Sequence, residues 1–246
     1  MTFWANGSVQ QGDEVAVAVC DPGLLLGQGV FETMLAVDGE VRNFDRHWAR
    51  LERSAEIVGL GEVAFSFEEV MKGIGELLEG NGLKKGRARV RLTRTPGLFL
   101  VTGGVAPVGK AEIAVATVGV RVNETSGVAG AKVTSYASNL AAQREAEEKG
   151  ADLGLMLNSR GEVCETNFAN VFFEIGGKVV TPALETGCLP GITRELVLER
   201  CEVEEVMMGV EGLEKVEAMW VTSSLRGVQR VGWLNGKRLS RGSGLG

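Results

Sequence analysis

The sequence predicts a mixed α+β fold, because segments with the two-residue period of strands alternate with segments that have the helical period. Residues 14–20 (EVAVAVC) and 30–37 (VFETMLAV) have the composition and alternation of strands. The dipeptide Asp38-Gly39 follows directly and is typical of a tight hairpin turn. Helices are predicted over residues 44–58 and 67–78, and the first of them has an apolar stripe along one side.

The middle of the chain continues this mixture. Strands are predicted at residues 87–94 and 111–118, and the Gly- and Val-rich residues 96–109 between them are expected to form a loop. Residues 119–129 (GVRVNETSGVA) have the composition of a linker. A chain of 246 residues is long enough for one large domain or two modest ones.

The bulk composition argues against several classes of partner. A net charge of −6 is unfavourable for binding nucleic acid or an anionic membrane surface. Apolar runs are too short for a membrane span, and the N-terminus lacks the pattern of a signal peptide. The four cysteines have no zinc-binding spacing, so no metal site is expected. We therefore expect a cytoplasmic protein with reduced thiols, no nucleic-acid partner and no membrane partner.

Lys132 and Glu165 stand out as a candidate catalytic pair. Lys132 lies among small and apolar residues, where desolvation can keep an amine neutral and nucleophilic toward carbonyls. A carboxylate that faces such an amine across a pocket suggests pyridoxal phosphate, because the protonated ring nitrogen of this cofactor needs an acidic partner. On the residues alone, a lysine near a strand more often has a structural role, with its alkyl stem lying along apolar surface.

The segment around this pair resembles the core of the class IV aminotransferases, the fold-type IV family of pyridoxal-phosphate enzymes. In that family the lysine that bonds to the cofactor precedes an Asn-Tyr-Leu-like turn and a helix ending in Glu-Ala-x-x-x-Gly-Ala; the matching stretch here runs from Lys132 to Gly150-Ala151. The family's Glu, followed after a few variable residues by Asn-(Val/Leu)-Phe, matches Glu165 and residues 170–172. The resemblance covers residues 21–231, and it implies pyridoxal 5′-phosphate as cofactor.

The resemblance also implies a two-domain α+β architecture and a homodimer. The expected domains are an N-terminal α+β domain at residues 1–118, a linker at 119–129 and a C-terminal cofactor-binding α/β domain at 130–246. The Ser- and Gly-rich tail at 240–244 is expected to be frayed. The second domain is predicted to contain strands and helices in this order: strand 131–134, helix 138–149, strands 153–158, 162–165, 169–174 and 178–181, and helix 192–201.

The resemblance gives cofactor-binding roles to residues beyond the pair. Arg50 matches the family arginine that reaches the cofactor phosphate, whereas by itself it reads as a helix-surface arginine. The motif LPGITR opens a helix, and helix N-termini favour anions. The resemblance therefore implies phosphate binding at Ile192 and Thr193, against a simple Pro-Gly turn, and a second phosphate contact at Ser224. Tyr136 is expected beside the cofactor's 3-hydroxyl, with a half-buried packing role as the alternative.

Three residues are candidates for substrate binding. The segment leading to Phe31 and Thr33 resembles the family's Asp-Arg-Gly-…-Gly-Asp-Gly-Val-(Phe/Tyr)-Glu-Thr opening, with Pro22 in place of the arginine and Gln28 in place of the second aspartate. Phe31 and Thr33 are expected to point alternately into and out of the substrate pocket, by the period of a strand. Arg94 matches an arginine that binds the substrate carboxylate in relatives, and a solvated strand face is the competing interpretation.

The resemblance leaves more than one reaction open on a small-molecule amino substrate. A 4-amino-4-deoxychorismate lyase eliminates pyruvate and forms 4-aminobenzoate for folate synthesis, whereas a branched-chain or D-amino acid aminotransferase releases a keto acid. The short chain, the Lys-to-Glu spacing and the motif SSLRGV at residues 223–228 favour the lyase. A degenerate relative kept as a binding protein is the remote alternative, and intact Lys132, Glu165, Arg50 and Thr193 argue against it.

Overall fold

A computed structural model of the protein describes residues 1–240, 242 and 245. The chain forms two compact units. Unit 1 comprises Met1–Val108 and Ala131–Ser135, and unit 2 comprises Gly109–Gly130 and Tyr136–Gly246. Both units mix helices and strands, which confirms the predicted α+β class. The expectation of a frayed tail concerns residues 240–244, most of which lie outside the described ones.

Unit 1 is built on an antiparallel sheet with strand order β2-β1-β6-β5-β3-β4. Its helices connect these strands along the chain. In chain order the elements are β1 (Thr2–Ala5), β2 (Ser8–Gln11), α1 (Pro22–Leu26), β3 (Val30–Val37), β4 (Glu40–Val41), α2 (Phe44–Val58), α3 (Phe67–Gly80), β5 (Arg87–Arg94) and β6 (Phe99–Val105).

The core of unit 1 lies between one face of this sheet and helices α2 and α3. Val30, Met34 and Ala36 alternate along β3, so all three side chains lie on the same face. They are buried together with Leu51 of α2 and Ile74 of α3. The opposite face of β3 is therefore left for other contacts, and it carries the candidate substrate residues described below.

Helix α3 shows how local sequence fixes an element of unit 1. Ser66 and Glu69 form a capping box, in which Ser66 Oγ accepts from the N–H of Glu69 at 3.2 Å and the Glu69 carboxylate accepts from the N–H of Ser66 at 2.8 Å. At Gly73, the seventh residue of the helix, a Cβ would overlap the indole ring of Trp4. Gly73 therefore allows α3 to approach β1 closely. At Gly75 a Cβ would meet nothing within 4 Å in the part of the chain that the structure describes.

Unit 2, over its described residues, contains a mixed sheet with strand order β12-β11-β10-β13-β14-β7-β8-β9, and β15 pairs with β14. Its elements are β7 (Ile113–Val122), α4 (Ala137–Glu148), β8 (Leu153–Asn158), β9 (Val163–Thr166), β10 (Asn170–Ile175), β11 (Lys178–Pro182), a 3-10 turn (Leu184–Thr186), α5 (Ile192–Leu198), β12 (Glu204–Val206), a 3-10 turn (Val210–Lys215), β13 (Ala218–Ser223), β14 (Gly227–Leu234) and β15 (Lys237–Arg238). Across the described residues of both units, no helix has the length and apolar character needed to cross a membrane.

The division into units differs from the expected domain boundaries. Strand β7, expected to close the first domain and followed by a linker, continues to Val122 and pairs in parallel with both β14 and β8. Those pairings make residues 109–130 part of unit 2. Residues 131–135 belong instead to unit 1, because the N–H of Phe31 donates to the carbonyl of Lys132 at 2.9 Å and the N–H of Thr134 donates to Gly29 at 2.8 Å.

Three of the predicted secondary-structure assignments were wrong. Residues 14–20 form no strand and are mostly exposed, because their alternating pattern finds no neighbouring strand to pair with. The expected loop at 96–109 contains β6, which pairs with β5 and β1. The predicted strand at 131–134 is reduced to one bridge between Val133 and Val30. The predicted hairpin is confirmed, since Asp38 and Gly39 both have the positive φ, 51° and 85°, that such a turn requires.

Candidate active site

Both backbone polar groups of Lys132, its N–H and its carbonyl, form hydrogen bonds within unit 1. Its carbonyl oxygen accepts from the N–H of Phe31 at 2.9 Å, and its own N–H donates to Ser54 Oγ at 3.1 Å. The side chain is half-buried, and its Nζ lies 4.4 Å from the centroid of the Phe31 ring. The amine packs against the face of the Phe31 ring. Because hydrogen bonds hold the backbone of Lys132, the four-carbon side chain alone determines how far the amine can reach.

One face of the unit 1 sheet brings together Lys132, Phe31, Thr33 and Arg91. Phe31 and Thr33 lie on the same face because they are two residues apart, so the expectation that they alternate was wrong. Thr33 pairs across the strands with Arg91. The Arg91 guanidinium carbon lies 3.9 Å from the centroid of the Phe31 ring, and Arg91 Nε donates to Thr93 Oγ1 at 3.3 Å. Phe31 is therefore flanked by two cationic side chains, from Arg91 and Lys132.

Arg94 lies on the other face of β5 and is engaged by a loop. Its Nη2 donates to the carbonyls of Leu60 at 2.8 Å and Glu62 at 2.5 Å, and its Nη1 donates to Gly61 at 3.2 Å. Burial lowers the pKa of the Arg94 guanidinium. The expected contact with a substrate carboxylate would require these bonds to the loop after α2 to break. The structure therefore gives Arg94 an anchoring role, and Arg91 is the arginine of β5 that contacts Phe31 on the face of Lys132.

Arg50 belongs to a buried cluster with Glu32 and His47. Arg50 Nε and Nη2 donate to the two carboxylate oxygens of Glu32 at 2.8 and 2.7 Å, and His47 Nδ1 lies 2.6 Å from Glu32 Oε2. Burial pushes the pKa of Glu32 upward, but the hydrogen bonds and positive charge of Arg50, with His47, bring it down to about 2. The cluster fixes the plane of the Arg50 guanidinium; its expected contact with a cofactor phosphate stays a prediction.

Glu165 lies half-buried on β9 of unit 2, and its carboxylate is oriented by two N–H groups. Oε2 accepts from Asn170 Nδ2 at 3.1 Å and from the N–H of Leu189 at 3.1 Å. Asn170 Nδ2 also donates to the carbonyl of Leu189 at 2.8 Å. A carboxylate held in this way has a defined direction, which is what a partner for a protonated ring nitrogen needs.

The expected phosphate residues of unit 2 lie at the start of α5 and just after β13. Ile192 and Thr193 are the first two residues of α5, and among the described residues no side chain caps this helix at Gly191. Ser224 is half-buried one residue past the end of β13. Thr222, two residues earlier, is buried, and its Oγ1 has no hydrogen-bond partner among the described residues. A buried hydroxyl without a partner costs free energy unless a ligand completes it.

Tyr136 precedes helix α4 and packs on the loop after β9. Its ring stacks on Phe168 with centroids 5.9 Å apart and an interplanar angle of 11°. Its hydroxyl lies 3.5 Å from the carbonyl oxygen of Asn167, which also accepts from Asn139 Nδ2 at 2.8 Å. The stacking is the half-buried packing role considered for Tyr136, and a contact with the cofactor's 3-hydroxyl stays a prediction.

Four residues near these candidates were given no role from the sequence. Glu32 and His47 had a signal, because His47 and Arg50 lie three residues apart on one side of α2 and Glu32 is a charged residue at a core-facing position of β3. Asn170 occurs in the family motif, but the motif assigned it no role. Thr222 had no signal in the sequence, since its interest comes from the lack of a hydrogen-bond partner for its hydroxyl among residues 1–240, 242 and 245.

Comparison with known proteins indicates the same family as the motifs do. The family model described as amino-transferase class IV matches residues 29–232. Aminodeoxychorismate lyase of Bacillus subtilis is 29% identical over 245 residues, which cover 91% of this chain and 83% of the relative. D-alanine aminotransferase of Bacillus licheniformis is 25% identical over 260 residues, covering 97% of this chain and 90% of the relative. These two relatives have different activities, so similarity alone does not choose between them.

A solved structure gives the same result for the fold. The branched-chain aminotransferase of the archaeon Thermoproteus uzoniensis, crystallised with norvaline, superposes with a TM-score of 0.91 at 29% identity, covering 99% of this chain and 90% of that one. The likeness confirms the expected fold-type IV architecture. The matched residues 29–232 contain Lys132, Glu165, Ile192 and Ser224. The chain belongs to the class IV aminotransferases, a family of pyridoxal-phosphate-dependent enzymes.

Proposed function

We propose that this protein is a 4-amino-4-deoxychorismate lyase, which eliminates pyruvate from its substrate to give 4-aminobenzoate in folate synthesis. The observation that carries the choice of reaction is the motif SSLRGV after β13, together with the spacing between Lys132 and Glu165. The similarity to the Bacillus subtilis lyase across 91% of the chain is consistent with it. A branched-chain or D-amino acid aminotransferase is the second candidate, and the TM-score of 0.91 with the Thermoproteus enzyme favours it.

The residues of unit 2 fit pyridoxal phosphate on structural grounds. Within the part of the chain that the structure describes, the hydroxyl of Thr222 has no hydrogen-bond partner and no side chain caps the start of α5, so both offer donors to an anion. The oriented carboxylate of Glu165 suits a protonated ring nitrogen. Ile192, Thr193 and Ser224 of unit 2 would hold the phosphate, and Tyr136 would lie near the 3-hydroxyl. When bound, the cofactor supplies an electron sink for the pair released at the substrate Cα.

The catalytic work of the chain falls to Lys132 and Glu165. Lys132 would hold the cofactor covalently through its amine, and the same amine, once free, would serve as general base for the substrate Cα proton. Glu165 would keep the ring nitrogen protonated. Phe31 and Ser54 hold the backbone of Lys132 by hydrogen bonds, so they fix the point from which its side chain extends.

The substrate side of the proposal involves Phe31, Thr33 and Arg91. All three lie on the sheet face that carries Lys132, and the Arg91 guanidinium is a planar fork of donors suited to a carboxylate. Arg91 therefore replaces Arg94 as the candidate for binding a carboxylate of the amino substrate.

The deciding experiment incubates the pyridoxal-phosphate-loaded protein with aminodeoxychorismate and no keto acid, and follows 4-aminobenzoate. The lyase proposal predicts many product molecules per enzyme, with the cofactor absorbance unchanged after turnover. K132A is expected to give none, and it serves as the control for contaminating activity. Absence of product from the wild type would refute the lyase. Conversion of the cofactor to its amine form by D- or L-amino acids would then support the aminotransferase, and the absence of cofactor absorbance would favour a degenerate binding protein.

We further propose that the enzyme is a cytoplasmic homodimer. Leu24, Leu25 and Leu26 of helix α1 are 63 to 80% exposed. Three adjacent exposed leucines are the kind of apolar surface that a subunit interface covers. Sedimentation velocity at micromolar concentration is expected to give twice the mass of the chain. A single species of monomer mass would refute the dimer.

A further inference from the structure

Asn170 contacts both Glu165 and the loop that opens α5. It is the first residue of β10 and is 5% exposed. Its Nδ2 donates to Glu165 Oε2 at 3.1 Å and to the carbonyl of Leu189 at 2.8 Å, and the N–H of Leu189 donates to the same Glu165 oxygen at 3.1 Å. The Asn170 amide, the Glu165 carboxylate and the backbone N–H and C=O of Leu189 thus form a ring of hydrogen bonds.

The oxygen atom of the Asn170 amide explains why residue 191 is a glycine. A Cβ at Gly191 would overlap Oδ1 of Asn170. The backbone of Gly191 does not itself demand glycine, because its φ of −78° and ψ of 135° are open to any residue. Close packing of the Asn170 amide against the residue before α5 is therefore what excludes a side chain at position 191. Asn170 holds Leu189 by one hydrogen bond and Gly191 by contact.

Cross-strand pairing adds Thr222 to the surroundings of Asn170. The two residues are directly opposite each other on β10 and β13, so their side chains lie on the same face of the sheet. Thr222 Oγ1 is the buried hydroxyl that lacks a partner among the described residues. Asn170 therefore lies beside a polar atom whose hydrogen bond a ligand would complete.

We infer that Asn170 is a positioning residue that couples the direction of the Glu165 carboxylate to the placement of the loop before Ile192 and Thr193. The inference rests on the proposed function, in which Glu165 serves the ring nitrogen and the start of α5 serves the phosphate. A single amide then sets the distance between the residues for the two ends of the cofactor. Loss of the amide releases Glu165 Oε2 from one donor and removes the packing that fixes Gly191.

The test is a double-mutant cycle on Asn170 and Gly191, with cofactor affinity as the readout. The dissociation constant of pyridoxal phosphate is measured by absorbance titration of the cofactor-stripped full-length protein. N170A and G191A are each expected to weaken binding about tenfold or more. The double variant is expected to bind no more weakly than N170A, because the added methyl group no longer meets the amide. Additive losses in the double variant would overturn the inference.

N158A is the matched control for loss of a buried asparagine. Asn158 is fully buried in unit 2, and its Nδ2 donates to the carboxylate of Glu162 at 2.6 Å, so it copies the chemistry of Asn170 at a different glutamate. We expect N158A to lower the melting temperature without changing cofactor affinity. If N170A also lowers only the melting temperature, Asn170 is structural and the inference fails. Should N170A melt below the assay temperature, N170S takes its place in the cycle.

E165Q separates failure of the inference from failure of the proposed function. The pH dependence of the bound cofactor's absorbance is recorded for E165Q, N170A and N158A. We expect the midpoint to shift in the same direction in E165Q and N170A, and to stay unchanged in N158A. An E165Q variant that keeps the wild-type spectrum and affinity would refute the proposed role of Glu165. An effect in E165Q with none in N170A would overturn the positioning role alone.

Discussion

The Glu32 carboxylate makes a stability contribution that can be worked out from the structure. It is almost fully buried, and Arg50 and His47 hold its pKa at about 2, against an ordinary value of 4.5. Each pKa unit corresponds to about 1.4 kcal/mol, so charged Glu32 contributes on the order of 3 kcal/mol to folding. Removing one partner of a buried pair costs a similar amount, about 3–5 kcal/mol, because the other charge is left unpaired.

The pH dependence of this contribution has a definite sign. The folded-state pKa lies below the unfolded value, so the unfolded chain takes up the proton first as the pH falls. The stabilisation is therefore complete above pH 4.5 and is lost progressively as the pH falls toward 2. Glu32→Gln removes the titrating group, so the difference between wild type and variant isolates it from the other carboxylates.

The assay is urea unfolding of the cofactor-free protein at a series of pH values. At pH 7 we expect E32Q to lose about 3 kcal/mol of unfolding free energy, and the difference from wild type to shrink as the pH falls below 4.5. E79Q is the control, because Glu79 pairs with Lys84 at 2.8 Å on the surface and should leave the midpoint unchanged. An E32Q variant as stable as wild type at pH 7, or a difference independent of pH, would refute the reasoning.

Three further predictions concern single positions. R94A is expected to lower the melting temperature with little change in KM, whereas R91A should raise KM for a carboxylate-bearing substrate at nearly unchanged melting temperature; the reverse pattern would return the substrate role to Arg94. T222V should raise the unfolding free energy of the cofactor-free protein by about 1 kcal/mol and weaken pyridoxal phosphate binding; a destabilised variant would show that the hydroxyl has a protein partner. G73A should destabilise by about 1–3 kcal/mol and G75A should not, because only the first methyl meets a ring; equal effects would contradict the packing of α3.

Local patterns were sufficient for much of the secondary structure. The predicted positions were right for strand β3, the turn at Asp38-Gly39 and helix α2. Alternation, a turn dipeptide and an apolar stripe are all patterns of neighbouring residues, so the sequence shows them directly. Which strands pair with each other cannot be predicted from such local patterns. Residues 14–20 alternate as well as β3 does and form no strand, while the glycine-rich β6 forms one because β5 and β1 flank it.

The candidate site shows the same limit at the level of side chains. Lys132 and Glu165 were predicted from spacing within a motif, and their catalytic roles stay predictions. The period of a strand could have separated Arg91 from Arg94, since residues three apart face opposite sides of a sheet. The bonds of Arg94 to a loop more than thirty residues away and the packing of Asn170 on Gly191 arise from the fold, and no local pattern contains them.

Residues 131–135 belong to unit 1 although the residues before and after them in the chain belong to unit 2. This limits how the protein can be divided into fragments. A fragment ending at Val108 would contain β3 but not the segment whose Lys132 carbonyl accepts from Phe31, and a fragment starting at Gly109 would carry Lys132 away from its hydrogen-bond partners. Neither product of a single cut is a complete unit. Chimaeras and split versions of this enzyme therefore have to exchange two pieces of chain together, and Lys132 belongs to the shorter piece.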